Sequence, residues 1–503
     1  MAKPDFDAFI GAKSADLFVD STGEKTAGYL LWGDGVHLLG ERQNGRLRVR
    51  ARGRERAGWI DEDALRGGKS LLEVYFIDVG QGDGVLIKTP DFRHIMIDGG
   101  HPRSAQNTGK SAADFVDWKF FEDYGLDEIT LDAMIASHND FDHYGGLADL
   151  LDTAQEGELD TQEIHVEAFY HAGISWWTKP DGTDRTLGRT VVRGDAQYQV
   201  QLLGDRASAE NAAGPGGSRL QGAWGNFIGK VVAARRADGQ PTSITRLSHV
   251  TPFLPGFGPD DNGPVIHVLG PVEFDVDGQP GLQKLGADSK TTNGNSVLLR
   301  MDFGRARILL TGDLNKTSQQ ALLDFYTGRR LEFQCDVAKA CHHGSEDVSY
   351  AFLQAMAPAA TIISSGDGEG HDHPKPRVVA ASGAVGHLSI EDDEIITPLV
   401  YSTELARSVS IGNPKALRIS DPDSDQEQRI EANELQRVTI EFTETKPGAL
   451  RPAKKQRVLS RTKLVAGLIY GLVNVRTDGD TILTATMNEG DGSWAVKTFR
   501  SRF

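Results

Sequence analysis

The sequence predicts an α/β fold in which a layered sheet-and-helix domain follows a small all-β unit. Three observations lead there. From Leu71 onward, short strand-like runs each end in a polar turn; helical stretches lie between those runs; and the first 70 residues have a different composition from the rest. The runs are Leu72 to Val79 before Gly80-Gln81-Gly82-Asp83, Ile95 to Ile97 before Asp98-Gly99-Gly100, Ala133 to Ala136 before Ser137-His138, and Ile308 to Leu310 before Thr311-Gly312-Asp313. Val337 to Cys341 before His342-His343 and Thr361 to Ile363 before Ser364-Ser365-Gly366 continue the series. Layered α/β folds collect their ligands at one strand edge, so this recurrence predicts that the polar turns share one site.

The first 70 residues carry 12 basic and 11 acidic residues, which leaves a net −18 on the other 433. Within them, apolar runs such as Ala15 to Val19, Tyr29 to Leu31 and Leu47 to Val49 alternate with turns at Ser21-Thr22-Gly23 and Gly33-Asp34-Gly35. The unit, placed at residues 14–67, resembles a bacterial SH3-like barrel in its Gly33-Asp34-Gly35-Val36 turn, its arginine-rich hairpin and its closing Gly58-Trp59-Ile60. Arg46, Arg48, Arg50, Arg52, Arg54 and Arg56 recur at every second position, so the first three should share one strand face. One reading makes this strand, 46–56, a guide for DNA or RNA; another makes it a solvated edge or a docking site for a protein partner.

At 503 residues the chain exceeds one ordinary domain, and 39% hydrophobic with 25% charged residues describes a globular chain. No apolar run approaches the roughly 20 residues of a membrane span, and the start lacks a secretory pattern, so a cytoplasmic protein with no membrane partner is expected. Cys335 and Cys341 match neither a redox pair nor a zinc set. A net charge of −17 argues against broad adhesion to nucleic acid while leaving room for a local basic patch.

Six of the 14 histidines fall in three clusters: His138 with His143, His342 with His343, and His371 with His373. The segment Ser137-His138-Asn139-Asp140-Phe141-Asp142-His143 packs two imidazoles and two carboxylates into six residues, so one loop could feed two cations. The bland alternative is a turn whose aspartates cap a helix. Asp313 stands after an apolar strand and a glycine, where its carboxylate could bridge two cations. His342 or His343 could supply a ligand or hold a substrate oxyanion, and His373 is the better ligand of its pair.

The ordered set Phe76-Ile77-Asp78-Val79-Gly80-Gln81-Gly82-Asp83, His138-x-Asp140-x-Asp142-His143-x-Gly145-Gly146, Asn295-Ser296-Val297, Leu310-Thr311-Gly312-Asp313, His342-His343-Gly344-Ser345 and His373-Pro374 resembles the metallo-β-lactamase fold. Within it, the branch is similar to the hydrolase domain of ComEC-type DNA-uptake proteins. The resemblance spans roughly 72–403 and implies an αββα sandwich, in a hydrolase domain placed at 71–450; residues 205–262, rich in Gly and Ala with little periodicity, read as an inserted loop, and 464–503 as further strands packing on the domain. It also implies two divalent metals, zinc or manganese: His138 and Asp140 on the first, Asp142 and His143 on the second, Asp313 bridging, and His373 completing the second. His171 is the candidate for an additional first-site histidine. The implied activity is metal-dependent phosphodiester hydrolysis, as a phosphodiesterase or nuclease, with Asp142 orienting the attacking water and His342, His343 or a metal-bound water serving the leaving group. Hydrolysis of a small ester, lactone or nucleotide signal is the alternative, and an inert scaffold acting through the SH3-like unit is a third reading.

Overall fold

The computed structural model describes residues 4–51, 57–106, 109–179, 181–182, 184–214, 219–365, 373–403, 410–412, 414–420, 427–431, 433–444, 453–461, 464–466, 472–487 and 493–503. Two sheets build the main body. Among the described residues the first has nine strands, in the order Ser243–Arg246, Ala168–His171, Ala133–Ala136, His94–Ile97, Val85–Lys88, Leu72–Phe76, Val473–Thr477, Thr481–Met487 and Trp494–Arg500. The second has six: Val265–Gly270, Leu298–Phe303, Ala306–Leu310, Val337–Lys339, Ala360–Ile363 and Leu399–Ser402.

Strand alternation explains how the sheets stack. Val74, Phe76, Ile95, Ile97, Ala133 and Ile135 point toward Leu299, Met301, Ile308, Leu310, Val337 and Ile362 of the second sheet, forming a buried layer between the two. The intervening residues Tyr75, Met96, Met134 and Phe169 face outward, under apolar residues of helices Ala112–Trp118, Phe141–Leu150 and Gly222–Ala233. On the other side Leu298, Leu309 and Ala338 lie under helices Lys316–Phe325 and Tyr350–Met356. The result is the αββα sandwich. The strands ending at Ile97, Ala136 and His171 are mutually parallel, as are those ending at Leu310, Lys339 and Ile363, so their following turns meet along one edge.

Two expectations about organisation change. Residues 205–262, expected as an inserted loop, carry helices Arg206–Ala213 and Gly222–Ala233 and the edge strand Ser243–Arg246. Trp224, Phe227, Ile228 and Val231 supply the apolar helix face that the many glycines and alanines of this stretch concealed. Residues 407–469 form a compact unit of their own, so the expected limit at 450 falls inside it. Its described part consists of antiparallel pairs, including Ala416–Ser420 with Glu427–Glu431 and Thr439–Glu444 with Ala453–Val458.

The C-terminal strands join the hydrolase sheet directly, with Val473–Thr477 antiparallel to Leu72–Phe76. The N-terminal unit is a six-stranded antiparallel sheet around Ile10, Leu17, Leu30, Val36, Val49 and Ile60. Arg476 ties it to the main body: Nη1 donates to Trp32 O and Asp34 Oδ1, both at 2.7 Å, and Nη2 lies 3.7 Å from Glu73 Oε2. In the arginine strand, Leu47 and Val49 face the core side. Arg46 pairs with Asp61 at 3.0 Å and lies over the Phe18 ring, and Arg48 pairs with Glu41. Positions 52–56 lie outside the described residues. Among the described residues, no helix is long and apolar enough to cross a membrane.

Candidate metal centre

The segment from Ser137 to His143 leaves a buried strand and enters helix Phe141–Leu150, with Asp140 at the N-cap. Its carboxylate makes no capping hydrogen bond. That removes the bland reading of Asp140 and leaves it directed at the site. The helix docks through glycine: a Cβ built on Gly146 would lie 2.1 Å from Gly99 O, and one on Gly82 would lie 1.9 Å from Asp142 O. These two glycines let the Asp83, Asp98 and His143 turns close on one another.

At the centre, three buried imidazoles converge on one carboxylate. His143 Nε2 lies 3.2 Å and His343 Nε2 3.0 Å from Asp313 Oδ2, and the His138 ring centre lies 4.0 Å from that of His143. The donors fall into overlapping groups: His138, His143 and Asp313; Asp142, His143 and His343; and Asp83, Asp313 and His343. Orientation comes from outer partners. Asp98 Oδ2 accepts from His143 Nδ1 at 2.8 Å and from Ser137 Oγ at 2.6 Å, which turns His143 Nε2 inward. His343 Nδ1 is held at 3.2 Å from Ser364 O, and Gln81 Nε2 donates to Asp142 Oδ2 at 3.1 Å. Asp98, His342 and His343 all have left-handed backbones, with φ of 56°, 47° and 53°. Non-glycine residues adopt that conformation at a cost that the surrounding structure must offset.

Lys339 is a cation that the sequence reading passed over. It ends a fully buried strand, and its ammonium contacts Asp83, lies 3.6 Å from Asp313 Oδ1 and donates to Gly312 O at 2.9 Å. The carboxylates and imidazoles act as mutual counter-ions. Burial opposes ionisation of Asp313, yet His343 and His143 hold its pKa well below the ordinary value. Burial likewise opposes charge on His143, yet Asp313 and Asp98 hold its pKa well above. Burial and then Asp142 push Asp140 up to about 7.

This donor set fits a divalent cation. Nε2 of His138, His143 and His343 is buried and makes no well-aligned hydrogen bond, as is Asp313 Oδ1. Clustered imidazole and carboxylate are donor types that divalent metals take.

The structure groups the donors differently from the expected assignment. His138, Asp142, His143 and Asp313 come together, with His343 beside them as a fifth member. Asp140 lies 3.8 Å from His138 Nε2 but outside the shared groups. His342 faces the cleft, 3.8 Å from Asp313 Oδ2. His373 lines the same cleft with its ring 6.0 Å from that of His342, and it too lies outside the groups formed by the described residues. Among the described residues His171 joins none of these groups, although its Nε2 too is buried without a hydrogen-bond partner. It stacks on Phe169 at 5.5 Å, and its Nδ1 accepts from Gly173 N at 3.1 Å. The cleft above the donors has a volume of about 840 Å³, and Asn139, Asp140, Trp176, Ser289, Lys290 and Asn293 are among the residues that line it.

Two curated proteins are similar over short segments. "ComE operon protein 3" of Bacillus subtilis (strain 168) is 32% identical over 93 residues, 18% of this chain, and "Competence protein ComA" of Neisseria gonorrhoeae is 36% identical over 87 residues, 17% of this chain. In each case the match spans 12% of the relative's length. Among solved structures, "a New Diphosphatase from the PhnP Family" aligns with 61% of this chain and 91% of its own at 12% identity, but its TM-score of 0.27 is too low to bear on the argument. Residues 77–366, more than half of the sequence, match the family described as Metallo-beta-lactamase superfamily. With the sandwich, the sheet-edge donors and that match in agreement, the chain belongs to the metallo-β-lactamase superfamily and is a metal-dependent hydrolase.

Proposed function

We propose that the chain hydrolyses phosphodiester bonds, with two divalent cations shared among His138, Asp142, His143, Asp313 and His343. The observation that carries this is the gathering of the His138, His143 and His343 imidazoles around Asp313, at an open polar cleft that Asp142, Asp313 and His343 line. Cations held there would supply an acidified water and neutralise charge on phosphoryl oxygens. Asp142, fixed by Gln81, is placed to orient the attacking water and accept its proton. His342, which lines the cleft within 3.4 Å of the Asn293 side-chain amide, would give a proton to the departing oxygen as the P–O ester bond breaks. His143, turned inward by Asp98, keeps the donor set in register. The resemblance of the site motifs to the hydrolase domain of ComEC-type DNA-uptake proteins favours nucleic acid as the source of the phosphodiester.

The test is hydrolysis of bis(p-nitrophenyl) phosphate by protein loaded with manganese or zinc, beside p-nitrophenyl acetate and a lactone. Turnover of the diester, lost on chelation, supports the reading. Turnover of the ester or lactone alone would move the activity to the small-ester class.

A further inference from the structure

One wall of the cleft carries a cation that the proposed chemistry does not use. Arg185 sits on a two-stranded hairpin, paired with Thr178, and its guanidinium lies 4.0 Å from the centre of the Trp176 ring. Trp176 is buried, and its indole N–H donates to Asn139 O at 3.0 Å, in the loop between His138 and Asp140. The aromatic platform is therefore anchored to the donor loop, and the guanidinium rests on it. Among the described residues Arg185 forms no ion pair, unlike its hairpin neighbour Lys179, which pairs with Asp184 at 3.1 Å.

The rest of the cleft sharpens the point. Asp140, Asp142, Asp184, Asp288, Asp313 and Asp347 all line it, and on the opposite wall Lys290 lies 3.7 Å from Asp347. Such a surface repels a polyanion except where a cation meets each phosphate. A guanidinium stacked on indole keeps its N–H edge free and pre-oriented, which suits bidentate phosphate recognition. Phe141, 42% exposed at the start of the donor helix, adds an open aromatic face of the kind on which a base stacks.

We infer that Arg185 is a specificity residue that binds a phosphate flanking the scissile one, so that the preferred substrate is a short single-stranded nucleotide chain. This rests on the phosphodiesterase reading. The stretch that sequence periodicity had singled out for nucleic acid, the barrel's arginine strand, has Arg46 and Arg48 engaged in ion pairs, whereas Arg185 stands over the donors.

The experiment compares kcat/KM of the metal-replete protein for thymidine dinucleotides with no terminal phosphate, with a 5′-phosphate and with a 3′-phosphate, and includes bis(p-nitrophenyl) phosphate. The native chain should prefer one phosphorylated dinucleotide by about tenfold or more, since a charge-assisted fork is among the stronger polar contacts. Arg185→Ala should erase that preference mainly through KM, and Arg185→Lys should restore only part of it. Cleavage of the dinucleotides without a terminal-phosphate preference, or a preference that survives Arg185→Ala, overturns the inference and leaves the phosphodiesterase reading standing. Failure to cleave any of these substrates overturns both.

Discussion

Replacing Lys339 by Met removes the buried ammonium that faces Asp83 and Asp313. Burial disfavours its charge, but Asp83 and then Asp313 hold its pKa above the ordinary lysine value, so the metal-free pocket favours the charged form. Without it, the metal-free pocket keeps two buried carboxylates with one partner fewer. Removing one member of a buried ion pair costs about 3–5 kcal/mol. For a cooperative unit of several hundred residues, this corresponds to a drop of roughly 5 °C in the unfolding midpoint. Divalent cations would neutralise the same carboxylates and bind the folded state alone, so metal should recover part of the deficit. Thermal unfolding followed in EDTA and again in excess manganese reads both quantities. The expected pattern is a clear deficit without metal and a larger metal-induced rise in the variant than in the native chain. A metal-free variant melting within about 1 °C of the native protein would refute the counter-ion argument, as would a deficit of equal size in both conditions.

Asp142→Ala and Asp313→Ala should each abolish diester hydrolysis while leaving a folded chain by circular dichroism, because both side chains lie at the sheet edge; near-normal turnover by either would sink the two-metal reading. Chelated protein should regain activity with manganese as well as zinc, since carboxylates share the site with imidazoles; restoration by zinc alone across a titration would contradict that. Burial, then Lys88 and Lys119, push the pKa of His94 down to about 3, so the unfolded chain takes up its proton first as pH falls. Stability attributable to His94 should therefore be present above pH 6.5 and lost toward pH 3, and His94→Phe should flatten the dependence of the unfolding midpoint in that window; an unchanged slope would count against it. Changing Arg46, Arg48 and Arg50 to Ser should flatten the salt dependence of oligonucleotide binding by less than the ~2 log units per log unit of salt expected of three available phosphate contacts, because Arg46 and Arg48 are already paired. A change at or above that value would make the strand a nucleic-acid guide.

The sandwich was legible because its strands are continuous apolar runs and each donor turn follows one, a pattern that survives without knowledge of what pairs with what. The donors themselves were legible as residue types, since histidine is uncommon and its clustering conspicuous. Their grouping was not. Among the described residues His343 joins the shared groups and His373 does not, and the backbone at His342 and His343 is left-handed, which no spacing rule foretells. Lys339 escaped notice because it ends an apolar run, where a lysine reads as an edge residue, and its partners Asp83 and Asp313 are distant in sequence. Arg185 lay in a stretch without periodicity, and its meaning comes from Trp176 beneath it. His171 ends a strand as expected and stacks on Phe169, outside the donor groups formed by the described residues.

The pairing of Leu72–Phe76 with Val473–Thr477 has a consequence for how the protein is made. Some 400 residues separate the two strands, and at a ribosomal pace of about 5–20 residues per second the earlier one waits roughly 20–80 s for its neighbour. Throughout that interval a hydrophobic strand presents an open edge, the type of surface that templates unwanted association. Glu73 has Lys88 at 2.7 Å from the neighbouring early strand but gains Arg476 only with the late one. A nascent chain stalled before residue 473 would thus hold an unfinished sheet, and chaperone demand during expression should fall sharply once the strands over 473–500 clear the exit tunnel.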